Sequence, residues 1–228
     1  KGVTIAQGGD RVMAVDKVQG TIRASKAKAA GSLASAAPVV TGMPDVVAVV
    51  GQDGAIHAAS ATSKSLVSLE ANDKGWEEAT NTSLKLTSGT DLAITAVGDK
   101  PVVLERSTGI LHLPEGKTVN LDTSGLALQQ PGPDADSVLV ASRNELISVP
   151  LDGGKVTRTP SSKEKSAPEG VAAQPVRLGK CVYAAWSGSG QFVRSCSGLF
   201  SGGTETLHDD KLAASSAPIF RVNRDAIV

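Results

Sequence analysis

Dense apolar runs return along this chain at nearly constant intervals. Their centres, Val47, Ala93, Val138 and Val182, lie 46, 45 and 44 residues apart, with Val12 35 residues before the first and Phe220 38 after the last. Each run opens a unit of several short stretches rich in Val, Ile, Leu and Ala, separated by turn signals such as Gln52-Asp53-Gly54, Gly98-Asp99-Lys100, Ser142-Arg143-Asn144 and Asp152-Gly153-Gly154. A unit of this kind is a small antiparallel sheet with two apolar faces, and alone it cannot cover either. Stacking the sheets around an axis buries both faces and leaves only short edges. The period therefore predicts an all-β chain folded as a β-propeller, a complete small ring or part of a larger one, with blades of three to four antiparallel strands. A β-sandwich would show strands every 8–12 residues without the longer recurrence. The units run approximately 1–40, 41–88, 89–133, 134–178 and 179–218, with the start of another at 219–228, and together form one domain. Within the first, Lys26 to Ala37 is rich in Ala, Ser and Lys but interrupted by Gly31, and reads as a surface loop or one loose helical turn.

Composition narrows the function classes. Lysine plus arginine and aspartate plus glutamate each number 23, so no net charge calls for nucleic acid or an anionic membrane as partner. Aromatic residues make up 3%, too few to line a carbohydrate groove. No run of about 18 apolar residues is present to cross a membrane.

The two cysteines belong to one hairpin, Lys180 to Cys196, in which two aromatic and β-branched runs flank Ser187-Gly188-Ser189-Gly190. The midpoint of positions 181 and 196 falls in the Gly188-Ser189 step, so a turn centred there sets Cys181 directly opposite Cys196, within reach of a disulfide. The alternative is two buried free thiols. A disulfide favours an extracellular setting. On the same hairpin Trp186 and Phe192 are near-symmetric, and their rings are expected to pack together.

At Val46 to Leu69, Ser137 to Thr159 and Phe220 to Asp225 the chain resembles the PQQ-like or WD-like β-propeller repeats of large actinobacterial surface proteins that carry fibronectin type III or Ig-like modules. The resemblance implies a non-catalytic part of a longer polypeptide, extracellular or anchored at the cell surface through regions outside this chain. No Trp-Asp pair closes any unit, and only Trp76 and Trp186 are present, so the resemblance implies no quinone or other cofactor.

Sites of chemistry are sparse. The Gly-rich turns lack the Lys-Ser/Thr of a phosphate loop. Ser187 to Gly190 lacks the first glycine of a nucleophile elbow. His208-Asp209-Asp210 is the most ligand-like cluster, and a solvated loop explains it better; no metal site is expected. Asp45, Asp91 and Asp136 precede the apolar runs of three successive units and are candidates to ring one mouth of a central channel. Trp76, among charged residues, is a candidate partner contact. Two functions follow: a scaffold or interaction module for a protein or cell-wall glycan, or a glycosidase or lyase working through converging channel carboxylates.

Overall fold

In the computed structural model, residues 2–87, 89–164, 169–196, 204–213, 218–223 and 226–227 are described. Five antiparallel sheets follow one another along the chain. Sheet 1 joins Val3–Gly8, Arg11–Asp16, Thr21–Lys26 and Pro38–Val40. Sheet 2 joins Val47–Val50, Ile56–Ser60, Ser65–Leu69 and Thr80–Ser83, with a small hairpin, Ala71–Asn72 and Gly75–Trp76, inserted before its last strand. Sheet 3 joins Leu92–Val97, Lys100–Glu105, Ile110–His112 and Thr118–Asn120. Sheet 4 joins Ala127–Leu128, Ser137–Ala141, Glu145–Pro150 and Thr157–Pro160. Sheet 5 joins Val171–Ala172, Cys181–Ser187, Gln191–Cys196 and Thr204–His208, and Val176–Leu178 also pairs with Cys181–Ser187. Each sheet is a meander, as short turns dictate.

The first strands are neighbours in space. Those of sheets 1 and 2, 2 and 3, and 3 and 4 pack on each other in turn. Backbone bonds tie them where the strand breaks down: Gly98 N donates to Gly132 O and Gly132 N to Ala96 O, each at 3.0 Å, and Val97 and Gly132 form a parallel bridge. Apolar clusters fill each successive seam, around Met13, Ile22, Ile56 and Leu69 between sheets 1 and 2, a smaller one of Ala59, Leu86, Leu92 and Val103 between 2 and 3, around Leu104, Leu111, Val140 and Ile147 between 3 and 4, and around Leu139, Leu146 and Trp186 between 4 and 5. The large exposed hydrophobics, Val3, Ile5, Val18, Val171, Leu207 and Ile219, all lie on the first or last sheet or beside it.

The phase of the repeat differs from the sequence expectation. Val47 and Ala93 lie on first strands, whereas Val138 and Val182 lie on second strands. Sheet 4 begins at Ala127, inside the segment assigned to the third unit. The cause is local: Pro131, Pro133 and Pro175 interrupt the first strands of sheets 4 and 5, because proline has no N–H to give to a ladder. Those strands shrink to two or three residues, and the dense apolar run falls on the strand after them. Second strands begin at Arg11, Ile56, Lys100, Ser137 and Cys181.

The cysteine hairpin has the expected register. Cys181 pairs with Cys196, their Cα atoms are 4.0 Å apart, and the disulfide is formed. The expected Trp186–Phe192 contact is absent. Trp186 pairs with Gln191 and Phe192 with Ala185, so the two rings project to opposite faces. Trp186 is fully buried against sheet 4, while Phe192 sits 6.4 Å from both Tyr183 and Phe220 on the other side. Residues 27–35 form kinked 3-10 turns, largely exposed with only Leu33 buried, in keeping with the loose turn expected there. Val222–Asn223 pairs with Ala226–Ile227, and the two residues between lie outside the described ones.

Candidate functional site

The antiparallel meander decides which predicted residues can meet. Asp45 and Asp91 stand just before first strands, and Asp136 just before a second strand. First and second strands run in opposite directions, so Asp136 lies at the other end of the stack. A six-residue strand such as Leu92–Val97 spans about 20 Å, and the three carboxylates do not share one mouth. Asp45, at positive φ, accepts a bond from Thr62 Oγ1 at 3.2 Å. Asp91 lies 3.8 Å from Arg106 Nε. Asp136 lines a cleft of about 470 Å3 with Lys100, Lys117, Glu115 and Asp152. All three are exposed.

Trp76 is half-buried. Its indole N–H donates to Gly54 O at 3.2 Å, and the Arg11 guanidinium lies 5.1 Å above its ring. Arg11 is itself buried and donates to Asn72 O at 2.7 Å. The ring and the guanidinium together hold the inserted hairpin against sheets 1 and 2. His208 bonds Asp210 at 3.1 Å and Gln191 at 3.3 Å; among the described residues no group of three or more His, Cys, Asp or Glu side chains is placed to hold a metal.

The end of the stack that carries Asp91 holds a larger cleft, about 610 Å3, opening across sheets 3, 4 and 5. Its apolar wall is Leu126, Ala127 and Leu128 with Val171 and Ala172, the starts of two first strands. Its charged groups are Arg106, Arg143 and Glu169, and Gln174 and Ser187 are its neutral polar ones. Arg143 is fixed by its neighbours. Trp186 Nε1 donates to Ser142 O at 2.6 Å, and Gly170 N donates to Arg143 O at 2.9 Å. Two glycines make room for this: a Cβ at Gly125 would lie 2.9 Å from Arg143 Cγ, and one at Gly170 would lie 2.6 Å from Ser187 O. Arg143 Nη1 reaches Glu169 Oε2 at 3.5 Å, with both side chains more than half exposed.

Sequence reasoning missed both arginines, although a signal existed. Each blade's second and third strands are joined by a four-residue turn, after Asp16, Ser60, Glu105, Ala141 and Trp186; Arg106 is the first residue of its turn and Arg143 the second of the next. Counting from the dense runs instead hides this, because the phase slips between sheets 3 and 4.

A second polar inclusion lies in the seam between sheets 2 and 3. His57 is fully buried, its Nδ1 2.8 Å from Ser68 Oγ and its Nε2 without a hydrogen-bond partner. Burial holds its pKa below the ordinary 6.5, against an upward pull from Asp53 and Asp99. Across the seam, buried Glu105 takes bonds from His112 Nε2 at 2.8 Å, Thr87 N at 3.2 Å and Thr108 Oγ1 at 3.4 Å. Burial alone would raise the Glu105 pKa; the bonds from His112 and Thr87 together outweigh it and hold the group below its ordinary value. Glu105 thereby ties the connection from sheet 2 onto sheet 3. Ser68 and His112 also line a cleft of about 430 Å3 between the outer strands.

No family model matches this chain, and no curated protein matches it. Solved structures do. A catalytically inactive virginiamycin B lyase from Staphylococcus aureus, solved with quinupristin, is 14% identical, with 90% of this chain and 68% of that one covered and a TM-score of 0.58. AztD from Citrobacter koseri is 14% identical over 91% of this chain and 61% of its own, TM-score 0.56. The Cps50 β-propeller domain from Myceliophteria thermophila is 9% identical over 92% and 71%, TM-score 0.52. The fold is a β-propeller. The five sheets are its blades, and the two ends of the stack are its faces. At these identities the likeness extends to the fold alone, one shared by unrelated bacterial and fungal proteins rather than peculiar to actinobacterial surface repeats.

Proposed function

We propose that this chain is a non-catalytic binding propeller whose working surface is the face bearing the 610 Å3 cleft. One observation carries the reading: the cleft is walled by the starts of first strands and by turns locked through Trp186 and Gly170, so it is formed before any ligand arrives. Preformed concave sites on rigid strands are the usual seat of recognition. The glycosidase alternative calls for two carboxylates about 5–9.5 Å apart; Asp136 lies at the opposite end of the stack from Asp45 and Asp91, and Asp91 is engaged by Arg106.

The disulfide supports an extracellular setting, and among the described residues no helix is long and apolar enough to cross a membrane. A place in a surface protein, beside other modules, with a protein or cell-wall glycan as partner, fits this reading. The test combines two readouts on one sample. The purified chain is mixed with a fragment library of neutral, acidic and basic small molecules, amide shifts are mapped by NMR, and the fragments are weighed by mass spectrometry. Shifts at residues 125–128, 143 and 169–172 with every fragment chemically unchanged are expected. Turnover of a fragment, or shifts confined to other clefts, would sink the proposal.

A further inference from the structure

The cleft's two arginines are under-used. Each guanidinium offers five N–H donors. Arg143 makes one long bond, 3.5 Å to Glu169, and Arg106 makes none within hydrogen-bond distance among the described residues, its closest anion being Asp91 at 3.8 Å. Pairs this long between half-exposed side chains are worth little and cost little to open. The other polar side chains on the wall, Gln174 and Ser187, are turned to backbone carbonyls, donating to Leu128 O at 3.1 Å and Val171 O at 3.4 Å, and Val171 is 63% exposed within the cleft. The group left with donors and no partner is cationic; the surface left without cover is hydrocarbon.

Resting on the binding function proposed above, we infer that the cleft between Arg106 and Arg143 receives an oxyanion, carboxylate or phosphate, carried on an apolar body. The planar fork of arginine matches both head groups in bidentate fashion. The locked Ser142-Arg143 turn supplies preorganisation, which limits the ordering cost of binding. Leu126, Leu128 and Val171 supply the surface for the apolar part. Glu169 is the like-charged group in the lining, and an arriving oxyanion takes its place on Arg143; Asp91 stands behind Arg106 at 3.8 Å.

That exchange gives the inference a sign. The probes are naphthalene-2-carboxylate, naphthyl phosphate and the neutral naphthalene-2-carboxamide, titrated into the 228-residue chain by calorimetry at low and moderate salt. Both anions are expected to bind roughly tenfold or more tightly than the amide, with the advantage shrinking as salt rises; the stronger of the two names the head group. R106Q and R143Q are each expected to weaken the anions about tenfold and leave the amide unchanged, and thermal melting of each variant confirms that it is folded. E169Q is expected to tighten the anions several-fold by removing the competitor. Equal binding of anions and amide, no loss in either arginine variant, or weaker anion binding in E169Q would each overturn the inference. Equal binding within the cleft would leave the binding function standing, whereas no binding of any probe there would remove both.

Discussion

Two seams of this propeller solve the same problem by opposite means. Between blades 3 and 4, fourteen buried side chains form one cluster, all aliphatic. Between blades 2 and 3 the buried apolar cluster has four members, Ala59, Leu86, Leu92 and Val103, with half-buried Val47, Ala61, Leu66, Leu84 and Ile94 packed on it, and His57, Ser68, Glu105 and His112 lie in the same seam. The first seam is held by area removed from water, so it tolerates small shifts. The second is held by bonds with fixed directions, so each group depends on its partner being in place. The polar seam also has an open cleft between its outer strands. The difference teaches that blades alike in topology need not be joined alike.

Breaking the apolar seam should show the largest effect. Leu104 is fully buried within it. Leu104→Ala removes packing atoms and leaves a cavity that the rigid strands cannot close, and should cost about 4 kcal/mol. A denaturant melt followed by Trp fluorescence measures this, since Trp186 lies on the next seam. A loss below about 1 kcal/mol would mean that this seam is far looser than its burial indicates.

The polar seam calls for a paired experiment. Glu105→Ala removes the acceptor of three bonds and leaves His112 and the Thr87 N–H unpaired, at a cost of about 3 kcal/mol. Replacing both partners, Glu105→Leu with His112→Leu, orphans only the threonine groups and should cost about 1 kcal/mol. The order is the point: the double variant is expected to be more stable than the single one. If the single variant costs nothing, the seam does not depend on these bonds, and the contrast with blades 3 and 4 collapses.

The same contrast explains what was legible beforehand. Apolar runs such as Val138 to Ala141 announce themselves as buried strands, so the all-β architecture, the repeat and the cysteine register could be read directly. His57, Glu105 and His112 lie on strands whose alternate residues are apolar, and a polar residue in that pattern reads as facing water. Nothing in one sequence distinguishes a solvated glutamate from one buried beside a histidine. The register of the blades was lost where Pro131 and Pro133 shorten a first strand, and with it the fact that Arg106 and Arg143 stand on corresponding turns of neighbouring blades. The aspartates were grouped by their distance before apolar runs, a rule that holds only if every such run is the same strand of its blade.

Acid should separate the seams by the smallest perturbation. His57 has its folded pKa below the unfolded 6.5, so as pH falls past that value the unfolded chain takes up a proton that the folded chain refuses, and stability declines. Glu105 has its folded pKa below the ordinary 4.5, so its contribution is complete above that value and is lost as pH falls through it toward the folded pKa. Both signs point the same way, the histidine acting first. The aliphatic seam contains no titrating group among its fourteen members. Hydrogen exchange at pH 7 and pH 5 is therefore expected to show, after correction for intrinsic rates, faster opening of Ile56–Ser60 at the lower pH, with Ser137–Ala141 unchanged and the Thr87 amide, held by Glu105, responding only below the ordinary 4.5 of that group. His57→Gln should abolish the change above the range where Glu105 titrates. Equal acceleration in both seams would mean that acid loosens the stack of blades as a whole, and that the polar groups set no separate threshold.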